Sequence, residues 1–149
     1  MAPDIKVAFI TPLAPEFYEA KRLRYSVLYE PLGIPESAVD WDDDLPGTHH
    51  CIVLDRGDLV GYGRVVIRDG EAQIRHLAVS TDRRGRGIGT TLLDALLGRA
   101  RERGAKTVFL NARFTALGMY RSRGFEPVGP VFHSESTHLP HQRMEHVLS

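Results

Sequence analysis

A glycine-rich segment joins an apolar strand to an amphipathic helix near the middle of the chain. The strand is predicted at residues 74–79, and apolar residues recur at helical spacing through residues 92–100. Between them lies the run Arg83-Arg84-Gly85-Arg86-Gly87-Ile88-Gly89. A strand that turns tightly into a helix directs unpaired backbone N–H groups and the positive end of the helix dipole at one point. This segment therefore predicts a binding site for a phosphate or pyrophosphate.

Two common phosphate-binding motifs do not fit these glycines. A P-loop requires a lysine after its last glycine, and none follows here. A dinucleotide-binding fold requires Gly-x-Gly-x-x-Gly and an acidic residue about 20 positions later, but the spacing is Gly-x-Gly-x-Gly and the downstream residues are Lys106 and Thr107. The segment Arg84-x-x-Gly87-x-Gly89 instead resembles the Gln/Arg-x-x-Gly-x-Gly/Ala signature with which the GNAT N-acetyltransferase superfamily binds acyl-coenzyme A.

The composition limits the partners and the compartment. The 149 residues suffice for one domain with its own core. The formal net charge is zero, so whole-molecule electrostatics favour neither nucleic acid nor an anionic membrane. Cys51 is the single cysteine, which rules out an internal disulfide and indicates a reducing compartment. With no signal-peptide pattern and no apolar run near 18 residues, we expect a cytoplasmic monomer or homodimer without a membrane or nucleic-acid partner.

The predicted elements alternate in a way that determines the fold class. Strands are predicted at residues 5–10, 50–55, 59–68, 71–79, 107–111, 125–132 and 144–148. Helices are predicted at residues 15–29, from the end of the glycine-rich segment 83–89 (the glycine loop) to about residue 103, and at residues 112–122. Gly61 and Gly63 within a strand predict a bulge or a close backbone approach. A strand–helix–strand unit over residues 74–111 implies a parallel pair. We therefore predict an α/β fold whose mixed sheet of about six or seven strands joins an antiparallel N-terminal half to a parallel pair and is flanked by helices.

Further motifs extend the resemblance across nearly the whole chain. Tyr120-Arg-Ser-Arg-Gly124-Phe125 is similar to the Tyr-x-x-x-Gly-Phe of the GNAT superfamily, and Asn111-Ala112 precedes it where members often place Asn or Ala-Gln facing coenzyme A. Three shorter segments resemble the small ElaA-like branch: Arg22-Leu-Arg24 with Val27-Leu28, Asp42 and Asp44 followed by His49-His50, and Leu139-Pro-His141-Gln-Arg-Met144. The chain departs from that branch in having Asn111-Ala112 rather than Ala-Gln.

The resemblance implies a single acetyl-CoA-dependent N-acetyltransferase domain over residues 1–149. The backbone of Leu77 and Val79 would pair with the pantetheine amides like an added strand, and amides of residues 84–90 would surround the pyrophosphate. Arginine side chains of the loop can add charge-assisted contacts, including contacts to a 3′-phosphate. The predicted coenzyme-binding residues are Leu77, Ala78, Val79, Arg84, Gly85, Arg86, Gly87, Ile88, Gly89, Thr90 and Asn111.

The motif around Tyr120 implies a role for its hydroxyl in departure of the thiolate. A phenol with a pKa of about 10 can donate a proton or a hydrogen bond to a thiolate whose conjugate acid has a pKa near 8.5. Taken without its motif, Tyr120 would be read as a tyrosine that packs its ring on a helix face. The motif favours the general-acid interpretation.

The general base is less well determined by the sequence. Many superfamily members use a carboxylate on the strand before the glycine loop, whereas residues 73–76 here are Gln-Ile-Arg-His. His76 and His141 are the candidates that titrate near neutral pH, and a structural role is the alternative for each. A zinc site at His133, His138, His141 and His146 is not predicted, because neither cysteine nor Glu-x-x-His spacing accompanies them.

The run Asp40-Trp41-Asp42-Asp43-Asp44 is the main acidic feature. We interpret it first as a solvated acidic loop. The alternative is the rim of a site for a cationic amine acceptor. A calcium loop is disfavoured because neither the glycine nor the glutamate of an EF-hand follows in register.

Two functions of different classes are compatible with the sequence. One is an N-acetyltransferase that moves the acetyl group from acetyl-CoA to a primary amine of a small molecule or peptide. The other is a non-catalytic acyl-CoA sensor or interaction module on the same fold. Tyr120 in its motif favours the enzyme, while the missing strand carboxylate favours the sensor. No metal is expected in either case.

Overall fold

The computed structural model describes residues 4–148, in which seven strands form one mixed sheet in the order β1-β2-β3-β4-β5-β7-β6. Strands β4 and β5 are parallel, and the other neighbouring strands within residues 4–148 are antiparallel. The predicted fold class is therefore confirmed. The strands are β1 Ile5–Ile10, β2 Thr48–Asp55, β3 Asp58–Arg68, β4 Glu71–Val79, β5 Thr107–Arg113, β6 Glu126–His133 and β7 Pro140–Val147.

Within residues 4–148 three α-helices accompany the sheet, and two of them differ from the sequence prediction. Helix α1 spans Phe17–Arg24 and continues as a π-helical turn at Tyr25–Tyr29; α2 spans Ile88–Glu102; α3 spans Leu117–Arg121. The predicted start of the third helix at residue 112 is wrong. Ala112 and Arg113 extend β5 instead, because they pair with Gln142 and His141 of β7. The last strand accordingly begins at Pro140 rather than at Met144.

Helix α2 packs its apolar face on the sheet. The leucines of this face are at most 3% exposed, and burial of each contributes roughly 1.5–3 kcal/mol. Gly61 and Gly63 of β3 permit the close packing: a Cβ at Gly61 would lie 3.0 Å from the side chains of Ile88 and Leu92, and one at Gly63 would lie 3.0 Å from that of Leu96. The predicted close approach at these glycines is confirmed. No helix within residues 4–148 is both long and apolar enough to cross a bilayer.

The parallel strands β4 and β5 separate soon after they meet. They pair only through residues 71–73 and 107–109. On the other side of β4, Arg75 pairs with Arg64 and Ala78 with Tyr62, so two residues, His76 and Leu77, lie opposite one. This is a β-bulge, and His76 adopts a left-handed φ of 58° within it. Bulges bend the strand that carries them, and here the bent half of β4 leaves a gap beside β5.

Candidate active site

The gap between β4 and β5 opens into a cavity of about 1090 Å³. This volume is slightly above the range typical of small-molecule sites, roughly 300–1,000 Å³. Its wall is formed by the π-helical turn, the second half of β4, the glycine loop, the end of β5, helix α3 and the loop between β6 and β7. The candidate coenzyme-binding and catalytic groups face this one cavity or support its wall.

The glycine loop ends at the N-terminus of α2. Gly87 is the N-cap residue with a left-handed φ of 78°; no side chain of the described residues 4–148 caps the helix, and its first turn contains no acidic residue. The hydroxyls of Thr90 and Thr91 each donate a hydrogen bond to the Gly87 carbonyl at 2.9 Å. The first-turn N–H groups are thereby left without a side-chain acceptor, which is the arrangement that binds anions at helix N-termini.

The second half of β4 offers a free backbone edge to the cavity. Ser80 N–H donates to the Val60 carbonyl at 2.8 Å, toward β3. Because alternate residues of a strand direct their backbone groups to opposite sides, Ala78 also faces β3. Leu77 and Val79 therefore direct theirs toward the gap. Both residues line the cavity, whereas the side chain of Ala78 is buried in the core.

Most of the predicted coenzyme-binding residues line the cavity. Those that do are Leu77, Val79, Arg84, Gly85, Gly87, Ile88, Gly89, Thr90 and Asn111. Ala78 and Arg86 do not belong to the lining; the Arg86 guanidinium lies 3.9 Å from the Asp55 carboxylate. Arg83 is paired with Asp55 at 2.8 Å and with Asp58 at 3.2 Å. Among residues 4–148, Arg84 has no such ion pair, so its charge is the one most available to a bound phosphate.

Tyr120 lies in α3 at the cavity wall and is 9% exposed. Its ring packs edge-on against Phe125 at a centroid distance of 6.0 Å. Burial raises the pKa of its hydroxyl to about 12. The phenol is therefore fully protonated at any physiological pH and can act only as a donor toward an anion.

The two histidine candidates have different surroundings, although both line the cavity. Burial, followed by the charges of Arg64 and Arg24, lowers the pKa of His76 to about 2, so its ring is neutral. Its Nδ1 is buried and has no hydrogen-bond partner in the described chain. The Nδ1 of His141 lies 2.8 Å from the Leu139 carbonyl oxygen, which can only accept. Nδ1 of His141 therefore carries the proton in the neutral ring, and Nε2 holds a lone pair.

Asp43, within the acidic segment formed by residues 40–44, has a structural role. Asp43 Oδ1 accepts hydrogen bonds from Arg24 Nη1 at 3.0 Å and from Arg64 Nη2 at 2.9 Å. Both guanidinium groups are fully buried, and the Asp43 side chain is only 13% exposed. The prediction of a solvated loop is therefore wrong for Asp43, although Asp44 is exposed. Over residues 4–148, no cluster of three or more His, Cys, Asp or Glu side chains is arranged to hold a metal ion.

Sequence reasoning missed Arg113 and Tyr29, which also line the cavity. Arg113 Nη2 donates to the Leu28 carbonyl at 3.2 Å and so joins the end of β5 to the π-helical turn. Arg113 lies beyond the strand end predicted at residue 111, so the two-residue period that places Asn111 on a strand face did not extend to it. Tyr29 lies in a π-helical turn that no periodicity indicated.

The comparison with known proteins decides the family. The profile of the Acetyltransferase (GNAT) family matches residues 14–125, which is most of the chain. The chain belongs to the GNAT family. The backbone edge, the uncapped helix and the cavity between β4 and β5 are therefore features of a GNAT domain.

Solved structures match this GNAT domain over almost its full length. Escherichia coli ElaA is 26% identical with a TM-score of 0.82, covering 95% of this chain and 99% of ElaA. An acyl-CoA N-acyltransferase from Pseudomonas aeruginosa is 25% identical with a TM-score of 0.83, covering 96% and 99%. A Bacillus subtilis protein, provisionally named for alanine N-acetylation of ribosomal protein bS18, is 30% identical over 87 residues, 56% of this chain and 58% of the relative. The match thus spans less than two thirds of that curated relative.

Proposed function

We propose that this chain is a single acetyl-CoA-dependent N-acetyltransferase domain that transfers an acetyl group to a primary amine. The observation that carries the proposal is one cavity that combines a free strand edge, an uncapped helix N-terminus and the protonated hydroxyl of Tyr120. Family membership supports acyl transfer in general. The proposed domain covers the described residues 4–148, and the predicted limits at residues 1–3 and 149 lie outside them.

In this proposal the coenzyme lies along the gap between β4 and β5. The backbone of Leu77 and Val79 pairs with the pantetheine amides, because no strand of the described chain pairs with these groups on that side. The first-turn N–H groups of α2 and the guanidinium of Arg84 bind the pyrophosphate. Asn111, which faces the cavity from β5, contacts the pantetheine from the opposite side.

The chemical step requires a neutral amine and a stabilised leaving group. The amine nitrogen attacks the thioester carbon, the carbon–sulfur bond breaks, and the coenzyme leaves as a thiolate. Full proton transfer from a phenol with a pKa of about 12 to a thiolate whose conjugate acid lies near 8.5 would be uphill. Tyr120 therefore stabilises the departing sulfur as a hydrogen-bond donor.

The amine loses a proton when it becomes an amide, and His141 is the proposed acceptor. Its Nε2 carries a free lone pair because Nδ1 is bonded to the Leu139 carbonyl. His76 is unsuited to this role because burial and the neighbouring arginines lower its pKa to about 2, so its ring is too weak a base to accept the proton. We assign His76 a positioning role at the bulge, where its neutral ring contributes to the shape of the cavity floor.

The test is a thiol-release assay with acetyl-CoA and a panel of primary amines, combined with calorimetry of coenzyme A alone. We expect coenzyme A to bind and thiol release to depend on an amine, with an acetylated product of the corresponding mass. Binding of coenzyme A without turnover on any amine would favour the acyl-CoA sensor instead. Absence of binding would contradict both functions.

A further inference from the structure

Arg113 is a charged cavity residue without a carboxylate partner in the described chain. Its guanidinium has five N–H donors, and the hydrogen bond to the Leu28 carbonyl uses one of them. The side chain is half-buried at the end of β5 and lines the cavity. A half-buried guanidinium that lines a ligand cavity and uses one donor within the protein is arranged to bind an anionic group of that ligand.

The charges around Arg113 reinforce this arrangement. Four arginines line the cavity against two acids, Asp40 and Glu135, and both acids are exposed. Arg83 is neutralised by Asp55 and Asp58, which leaves three arginines of the lining. Among these, Arg75 lies 3.6 Å from Asp42, whereas Arg84 and Arg113 make no ion pair within residues 4–148.

The wall behind the cavity adds further positive charge. Two fully buried guanidinium groups, those of Arg24 and Arg64, share the single carboxylate of Asp43. The neighbouring His76 responds to this excess, since Arg64, Arg24 and Arg75 all lower its pKa in addition to burial. Two of the acidic residues that suggested a cationic acceptor, Asp42 and Asp43, are thus paired with arginines.

The hydrogen bond to Leu28 ties the Arg113 guanidinium to the π-helical turn. The Leu28 carbonyl belongs to the π-helical turn, whereas the helix N-terminus and Arg84, the proposed phosphate ligands, belong to the glycine loop. The charge of Arg84 is nonetheless near enough to add to the effect of burial in lowering the pKa of Arg113. A carboxylate is the anion that a planar guanidinium binds in a bidentate manner, together with phosphate. The phosphates of the coenzyme already have their own donors in the loop.

We propose that Arg113 binds a carboxylate of the acceptor, so that the substrates are amino acids or other amines that carry a carboxylate. This inference rests on the proposed N-acetyltransferase function. The same positive surroundings favour the reaction, because they disfavour the ammonium form of the bound amine, and only the neutral amine can attack. The bound carboxylate in turn offsets the charge of Arg113, whose pKa burial lowers.

The experiment compares ω-amino acids with their carboxamides as acceptors, after correction for the fraction of neutral amine. We expect kcat/KM for the carboxylate to exceed that for the amide by at least about tenfold, or 1.4 kcal/mol. Arg113→Gln should reduce this ratio to near unity, and Arg113→Lys should retain part of it. Arg101→Gln removes an exposed charge from α2 and should leave the ratio unchanged. The unfolding midpoint of each variant shows whether it is folded.

Three results would overturn the inference. Equal loss on both acceptors in Arg113→Gln would mean a structural role. Weaker binding of coenzyme A by calorimetry would make Arg113 a coenzyme ligand. The third result is that Arg113→Gln loses transfer from succinyl-CoA but not from acetyl-CoA, with an unchanged ratio of kcat/KM between carboxylate and amide acceptors. In that case the carboxylate bound by Arg113 would be the one on the acyl group.

A binding measurement separates this inference from the proposed function. Calorimetry of an ω-amino acid into the protein saturated with coenzyme A does not depend on turnover. Binding that Arg113→Gln abolishes would support the carboxylate site even if no amine were acetylated. Equal binding of the amino acid and its amide would contradict the site even in an active enzyme.

Discussion

Tyr120 is buried, and this gives it two properties that an exposed tyrosine lacks. Its ring is held between the cavity and Phe125, and burial raises the pKa of its hydroxyl to about 12. A hydroxyl with this pKa does not ionise between pH 6 and 10, so it remains a donor throughout the range in which an amine becomes neutral. The role proposed for it can therefore be tested by removing a single oxygen atom.

Tyr120→Phe should lower kcat by about 10²-fold while the affinity for coenzyme A changes by no more than a few-fold. The ring and its packing on Phe125 are kept, so the free energy of unfolding should change little. Steady-state kinetics and calorimetry provide the two measurements. Tyr18→Phe is the matched control, because Tyr18 is 65% exposed. Acetylation at the parent rate would make Tyr120 a packing residue.

For single residues, contiguous motifs predicted a role, whereas isolated side chains did not. Tyr120 could be selected because Tyr-x-x-x-Gly-Phe is read within six consecutive residues. Asp43 was misinterpreted because its partners lie 19 and 21 residues away along the chain. The sequence predicts that an acidic residue between other acidic residues is solvated, because it does not show that the tertiary structure places a buried cation beside it. Arg113 was missed for the same reason, since its partner at Leu28 is 85 residues distant.

At the scale of the elements, the ion pairs of Asp43 hold the connection between the π-helical turn and β2 against the sheet. Asp43→Asn should destabilise the fold by about 3–5 kcal/mol, because it leaves the buried guanidiniums of Arg24 and Arg64 without their carboxylate. Asp44→Asn should change the free energy of unfolding by less than about 0.5 kcal/mol, because Asp44 is exposed. Chemical denaturation measures both. Similar values for the two variants would restore the interpretation as a solvated loop.

The glycine loop provides a matched pair of substitutions on one helix. Gly87→Ala places a Cβ where phosphate would approach the backbone and forces a left-handed φ of 78° on alanine, which costs about 1–2 kcal/mol of stability. Coenzyme A should bind at least about tenfold more weakly, equivalent to 1.4 kcal/mol. Gly98→Ala, within α2 and with nothing near its Cβ, should stabilise the helix by up to about 1 kcal/mol. Calorimetry that finds the same affinity in both variants would place the phosphates elsewhere.

The order of elements was predictable, but their ends near the cavity were not. Periods of 2 and 3.6 residues separate strands from helices, so the arrangement of strands and the amphipathic α2 followed from the sequence. The third helix was placed too early because Ala112 and Arg113 have no local strand signal. Their conformation depends on pairing with β7, and long-range pairing leaves no trace in a window of a few residues.

For the whole molecule, the buried His50 and the half-buried His76 are neutral and make the free energy of unfolding depend on pH. Burial and the charge of Arg64 lower the pKa of His50 to about 4, and burial lowers that of His76 to about 2. The unfolded chain binds these protons below its ordinary histidine pKa of about 6.5, whereas the folded chain does not. The contribution is therefore complete above pH 6.5 and is lost as the pH falls through 6.5 toward 4 and below.

The free energy of unfolding should accordingly fall by up to about 1.4 kcal/mol per pH unit for each histidine as the pH is lowered below about 6. His76→Asn should flatten this dependence, and asparagine is chosen because it tolerates the left-handed conformation at this position. Urea denaturation between pH 4.5 and 8 measures the slopes. His133→Asn, on the exposed surface of β6, should retain the parent slope. Parallel profiles for all three proteins would show that His76 titrates normally.

The short junction between β4 and β5 has a consequence for turnover of the protein itself. Three residue pairs join one half of the sheet to the other along that seam, so a coenzyme lying between the strands would act as an eighth strand and fasten both halves. A ligand present at 100 times its dissociation constant adds about 2.7 kcal/mol to the free energy of unfolding. Because proteases act on opened chains, the lifetime of this domain in a cell would rise and fall with the supply of acyl-coenzyme A.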